Sequence, residues 1–179
     1  MDDDFQTIRR VLAGDIDSFR LLVERHQGAL FSLVSNLVRD VTDRDDIAQE
    51  TFLAAYLHLG SYDPQRGKFS TWLLTIARNK CFNAMKERRP LAMEPLPPKV
   101  DRRSPADRLL ETELAIQFDR ALAALPFEQK TAFILSEIEG LSHDEICQIE
   151  EVPLGTVKSR ISRAKEKLRS FLSCLPETH

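Results

Sequence analysis

Five of the nine prolines in this 179-residue chain fall between Arg89 and Pro105. Pro90, Pro95, Pro97, Pro98 and Pro105 lack backbone donors and hold φ fixed, so no regular helix can run through them. Little in the stretch could pack. The chain is therefore expected to fold as two small units, 1–89 and 106–179, joined by a linker over 90–105. Each unit is long enough for a small core.

Both units read as helical. Glycine is scarce, strand-like alternation is absent, and apolar residues recur at three- and four-residue spacing. Helices are expected near 4–13, 16–39, 43–59, 70–88, 106–124, 127–139, 143–150 and 155–173. The fold class is all-α, with a winged-helix-like four-helix helix-turn-helix as its C-terminal unit. Gly60 to Gly67 carries the turn chemistry of a loop.

Net charge is only -3, but it is segregated. Asp40–Asp63 holds six acids and one base, whereas Arg66–Arg89 holds seven bases and one acid. Leu91–Glu151 holds thirteen acids and six bases, and Val152–Leu175 six bases and one acid. Such blocks are local electrostatic footprints, and the two basic ones suit nucleic acid. The acidic start and the lack of a long apolar run argue against a signal peptide or membrane span and for the cytoplasm. Cys81, Cys147 and Cys174 are too scattered for a disulfide framework or metal site, and are expected to be reduced packing residues. No cofactor is expected. No phosphate-cradling glycine loop or defensible Ser-His-Asp order suggests an enzyme.

The second basic block lies on a capped unit. Ser142 followed by Glu145 is a capping box opening a short helix with Ile146 and Ile149 inward. Pro153 ends it, and a longer basic helix follows, its stripe formed by Val157, Ile161, Ala164, Leu168, Phe171 and Leu172. Short helix, tight turn and longer basic helix make a helix-turn-helix. At about 100° per residue, Ser159 and Arg163 lie opposite the stripe, with Lys158 and Ser162 toward one flank. Arg163 and Lys158 can donate to guanine or phosphate, and serines both donate and accept. Arg160, Lys165, Lys167 and Arg169 suit phosphate contacts or solvation.

The first basic block is different. After Phe69-Ser70-Thr71-Trp72, Leu73, Leu74, Ala77, Cys81, Ala84 and Met85 form a stripe. The opposite face carries Trp72, Thr75, Asn79, Asn83 and Lys86, with Phe82 at its edge. Aromatics that stack and amides that read base edges suit single-stranded DNA. Arg66, Lys68, Arg78, Lys80, Arg88 and Arg89 supply backbone charge. The competing expectation is that Trp72 and Phe82 pack against a neighbouring helix or the Gly67 loop. Between the basic blocks, Ile47, Ala48, Thr51 and Ala55 form an inward stripe, leaving Asp46, Gln49, Glu50 and Leu53 to face elsewhere. Acids in a first helical turn complement its dipole. They also repel DNA, which leaves protein docking as a role for this surface.

Asp46-Ile47-Ala48-Gln49-Glu50-Thr51-Phe52, Phe69-Ser70-Thr71-Trp72-Leu73, the Pro-rich linker and Gly155-Thr156-Val157-Lys158-Ser159-Arg160 together resemble bacterial RNA polymerase sigma factors, specifically the extracytoplasmic-function (ECF) group of the sigma-70 superfamily. The resemblance spans nearly the whole chain. It implies that 1–89 is region 2 and 106–179 region 4. Asp46, Gln49 and Glu50 would dock on the clamp helices of the polymerase largest subunit. Phe69, Trp72, Arg78, Asn79, Asn83 and Lys86 would bind and melt the minus-ten element. Thr156, Lys158, Ser159, Arg160, Ser162 and Arg163 would read the minus-thirty-five element. The linker would thread toward the polymerase active site and RNA exit channel. The expected partners are polymerase core, including its flap, and promoter DNA; free ECF factors are often held by an anti-sigma factor as well. The absence of an acidic inhibitory domain before residue 1 and of an extended minus-ten domain also resembles the ECF pattern. Ser162 stands where some relatives have an aromatic. The alternative is a stand-alone helix-turn-helix regulator that never touches polymerase.

Overall fold

The computed structural model describes residues 3–87 and 115–173, apart from the side chain of Leu172. Those residues form helices and connecting turns, with no strand among them. The expected linker over 90–105 and the start of the helix expected at 106–124 lie outside the described residues.

The N-terminal bundle contains α1 (Asp3–Leu12), α2 (Phe19–Leu37), α3 (Val41–Leu57) and α4 (Phe69–Glu87). The C-terminal bundle contains α5 (115–123), α6 (Phe127–Phe133), α7 (His143–Glu150) and α8 (Leu154–Ser173). Among the described residues no helix is long and apolar enough to cross a membrane.

Local chemistry sets the ends. Asp40 caps α3 by accepting from the backbone N–H groups of Thr42 and Asp43, so the helix starts two residues before the expected position. The first orphan donors are thereby satisfied. Residues 16–18 form a 3-10 turn ahead of α2 rather than its first α-helical turn. The helix expected over 127–139 is α-helical only to Phe133; Ile134–Ile138 is a π segment. Gly140, at φ 65°, then takes the left-handed conformation that lets the chain turn back toward α7.

Among the described residues, three apolar clusters hold the fold together. Ile8, Val11, Leu22, Ala55, Leu59, Phe69 and Leu73 pack within the N-terminal bundle. Ala121, Leu122, Leu125, Phe133, Ala164 and Leu168 pack within the C-terminal one. The third is shared: Leu33, Leu37, Ala77 and Cys81 on one side join Phe127, Leu135, Ile146, Ile149 and Val157 on the other. The two units are thus docked on each other along α4 and the end of α2, where the sequence suggests only independent cores. Burying apolar surface contributes roughly 25 cal/mol per Å², so a shared cluster is a real source of cohesion. Aromatic and polar contacts flank it. Phe82 meets Phe127 at 5.2 Å between ring centroids, Lys130 Nζ donates to the Leu37 carbonyl at 3.4 Å, and Lys68 Nζ donates to Glu145 Oε1 at 2.8 Å.

Candidate nucleic-acid interface

The C-terminal basic helix is built as its sequence suggests. Ser142 and Glu145 form the reciprocal capping box of α7, whose inward Ile146 and Ile149 are buried. Glu151 then adopts a left-handed conformation at φ 54°. The Pro153 carbonyl accepts from the Thr156 and Val157 N–H groups and so opens α8. Val157, Ile161, Ala164 and Leu168 are buried, which fixes the rotation of α8. Phe171, expected on the same stripe, is instead half exposed at 49%, because the stripe has run past the bundle's end.

That rotation sorts the predicted residues. Lys158, Ser162 and Arg163 are exposed, and Thr156 and Ser159 are half-buried. The Ser159 hydroxyl donates to the Thr156 carbonyl at 3.1 Å, leaving its oxygen lone pairs for a further partner. Arg160 is not open to solvent: its guanidinium is bound to the Glu150 carboxylate at the end of α7 and its side chain is only 21% exposed.

On α4, Asn79, Asn83 and Lys86 are exposed along one face. Trp72 is half-buried beside them, in a cluster with Tyr62 and Phe69, each 5.7 Å away between ring centroids. It therefore both packs and shows an edge. Phe82 packs on Phe127, and Lys86 Nζ lies 4.4 Å from the Phe82 ring centre, a cation–π contact. Phe69 is a correction. It is fully buried, under Trp72 and against Tyr62 and His26, so it supports the exposed face from beneath and cannot stack on a base. Arg78 is half-buried: its guanidinium lies over the Phe82 and Phe127 rings, 5.3 and 5.5 Å from their centres, and only 16% of the side chain is exposed.

The acidic helix keeps its predicted division. Ile47, Ala48, Thr51 and Ala55 are buried, while Asp46, Gln49, Glu50 and Leu53 are exposed. Glu50 is additionally held by Lys80, 2.9 Å away on α4. Leu53 and Leu57 add exposed apolar area beside these acids.

Glu150 and Lys130 are buried charges that sequence reasoning misses. Glu150 and Lys130 sit at core positions, Glu150 four residues after Ile146 and Lys130 three after Phe127. Burial pushes the Glu150 carboxyl above the usual carboxylate range, against the opposing pull of Arg160 and Arg78. Burial pushes the Lys130 amine down to about 8, and Arg39 and Arg44 add to the effect. Helical spacing carried a signal, namely a charge on an apolar stripe, but no hint of partners in the other half of the chain. Cys81 and Cys147 are free thiols, and Cys174 lies outside the described residues.

Comparison with known proteins covers both halves. The family "Sigma-70 region 2" matches residues 22–90 and "Sigma-70, region 4" matches 115–168. The chain is 33% identical over 177 residues to the ECF RNA polymerase sigma factor SigW of Bacillus subtilis, covering 92% of this chain and 94% of that one. It is 36% identical over 181 residues to the ECF RNA polymerase sigma-E factor of Haemophilus influenzae, covering 94% of each. Among solved structures, CnrH in complex with the cytosolic domain of CnrY is 30% identical, with a TM-score of 0.74 over 96% of this chain and 98% of that one. With the capped helix-turn-helix, the amide-bearing face of α4 and the acidic face of α3 joined in this order, the chain belongs to the ECF group of sigma-70 family RNA polymerase sigma factors.

Proposed function

We propose that this chain binds RNA polymerase core and directs it to promoters, with three surfaces dividing the work. Lys158, Ser162 and Arg163, at the exposed front of α8, read the minus-thirty-five element in the major groove, with Thr156 and Ser159 beside them. Asn79, Asn83, Lys86 and the exposed edge of Trp72 take the unpaired bases of the minus-ten element. Asp46, Gln49 and Glu50 dock on the polymerase largest subunit. The observation that carries this reading is the exposure of both kinds of reader on one chain, amides beside an aromatic on α4 and cations beside serines on α8. The first suits unpaired bases and the second a duplex groove. A stand-alone regulator would leave the matched residues 22–90 without a role. A further protein partner is in keeping with CnrH, whose structure was solved in complex with the cytosolic domain of CnrY.

The direct test is transcription from a mapped promoter by core polymerase with and without the chain. The assignment fails if core plus chain starts no transcript that core alone does not start. Arg163→Ala is expected to cost about 1–3 kcal/mol of promoter affinity and to relax preference at one minus-thirty-five position. An unchanged base preference across that element would remove Arg163 from the reading set. Asp46→Ala and Gln49→Ala should each weaken core binding by about 1 kcal/mol or more, as truncation of a central interface residue does. Because both lie on α3, they should leave duplex binding by the free chain unchanged. A loss of duplex binding with core affinity intact would reverse the roles of α3 and α8.

A further inference from the structure

Arg39, Arg44 and Lys130 meet at the end of α2. Arg44 Nε donates to the Val38 carbonyl at 2.8 Å, and Lys130 Nζ donates to the Leu37 carbonyl at 3.4 Å. Cations from α3 and α6 thus lie on successive carbonyls, where α2 ends at Leu37 and Val38 caps it. Arg39 is the next residue along the chain. It is exposed, Arg44 is half-buried and Lys130 is buried. Among the described residues none of the three forms an ion pair, and Arg39 forms no hydrogen bond. The Arg44 Nη groups make none either. Asp40, the acid next in sequence, is engaged in capping α3.

We infer that the end of α2 carries a binding site for a phosphate group, taken by the exposed Arg39 and the Nη groups of Arg44, with Lys130 beneath as a fixed positive charge. The negative end of a helix dipole attracts a cation, which accounts for one charge at this place and not for three. Arg39 and Arg44 act on Lys130 strongly enough to add to burial in lowering its amine to about 8, against the pull of Asp119 and Cys81. Like charges held together without a carboxylate leave a positive field that an anion relieves. Guanidinium forks fit phosphate oxygens in pairs. The carbonyl that holds Arg44 Nε leaves its Nη groups for such a partner. None of these three residues belongs to the faces assigned above to promoter bases or to polymerase. Two sources share the chemistry: a free oligophosphate and a DNA backbone phosphate.

Isothermal titration of the full-length chain with inorganic pyrophosphate, at an ionic strength matched with potassium chloride, should show saturable binding. Arg39→Gln, a surface change that leaves the core intact, should weaken it about tenfold, as loss of one charge-assisted contact does. Lys130→Met should weaken it by a similar factor. Bound anion favours the charged amine, so wild type at pH 8 should take up a proton on binding that Lys130→Met does not. Comparing the two proteins cancels the titration of pyrophosphate itself. A fluorescent duplex of arbitrary sequence then separates the sources. Duplex affinity unchanged in Arg39→Gln assigns the site to a free oligophosphate. A loss of about tenfold, with pyrophosphate competing for the wild-type chain, assigns it to the DNA backbone. The site is overturned if wild type shows no saturable binding of pyrophosphate, or if Arg39→Gln and Lys130→Met both bind it as tightly as wild type.

Discussion

Phe69→Ala should cost about 3–5 kcal/mol of stability, the usual range for deleting a buried aromatic ring. The ring is fully buried. Tyr62 and Trp72 lie 5.7 Å away and His26 5.3 Å away between ring centroids. Removing it deletes their common neighbour and leaves a cavity that backbone held by α2, α4 and the Tyr62 loop cannot readily close. Tyr62 is itself tied down, its hydroxyl donating to the Gly67 carbonyl at 3.0 Å. Urea denaturation followed by far-ultraviolet circular dichroism would read the loss as a lower midpoint. Phe69→Leu, which refills most of the space, should recover much of the stability and with it promoter melting. A base-stacking residue would behave in the opposite way, with melting lost and the urea midpoint unmoved. That outcome would put Phe69 back among the DNA contacts.

Phe69 also shows where the sequence was legible and where it was not. Its wheel position is unambiguous: Leu73 lies four residues on and Ala77 eight, and both are core. Placing Phe69 at the DNA came from the family resemblance rather than from the periodicity, and here the periodicity is the better guide. The same periodicity correctly placed Ile47, Ala48, Thr51 and Ala55 inward and left Asp46, Gln49 and Glu50 outside. It also set α8 so that Lys158, Ser162 and Arg163 are exposed. Capping chemistry at Ser142 was equally readable, because both partners lie within four residues. What could not be read is the docking of the halves. Lys130 meets the Leu37 carbonyl across 93 residues of sequence, and no local pattern encodes such a meeting. Arg78 and Arg160 were assigned to DNA as members of basic blocks. Only the fold reveals that one buried acid lies between them.

The stability of the docked chain should rise between pH 8 and 9, level off to about pH 10.5 and fall beyond it. Two buried groups at the shared cluster set this profile. Lys130 is 8% exposed, and its amine is lowered from 10.5 to about 8, first by burial, then by Arg39 and Arg44, with Asp119 and Cys81 pulling the other way. Above pH 8 the folded amine gives up its proton while the unfolded chain still holds one. The unfolded state then binds more protons, so stability rises with pH by about 1 kcal/mol per unit. Cys81 works in the opposite sense. Burial raises its thiol from 9.0 to about 12, so above pH 9 the unfolded thiol ionises and the folded one does not. Stability then falls with pH at a similar slope, cancelling the gain from Lys130 until the unfolded amine has also titrated. Near neutral pH the buried ammonium costs the fold about 3 kcal/mol, the free-energy equivalent of lowering its pKa from 10.5 to about 8. Lys130→Met, similar in length and without charge, should therefore stabilise the chain by an amount of this order at pH 7, less the weak bond to the Leu37 carbonyl. It should also abolish the rise between pH 8 and 9 while keeping the fall above pH 9 that belongs to Cys81. Urea midpoints of both proteins at pH 7, 8, 9 and 10 test each part separately. A wild-type midpoint that stays flat from pH 7 to 9, or a methionine variant less stable than wild type at pH 7, would show that Lys130 is not charged at a cost to the fold.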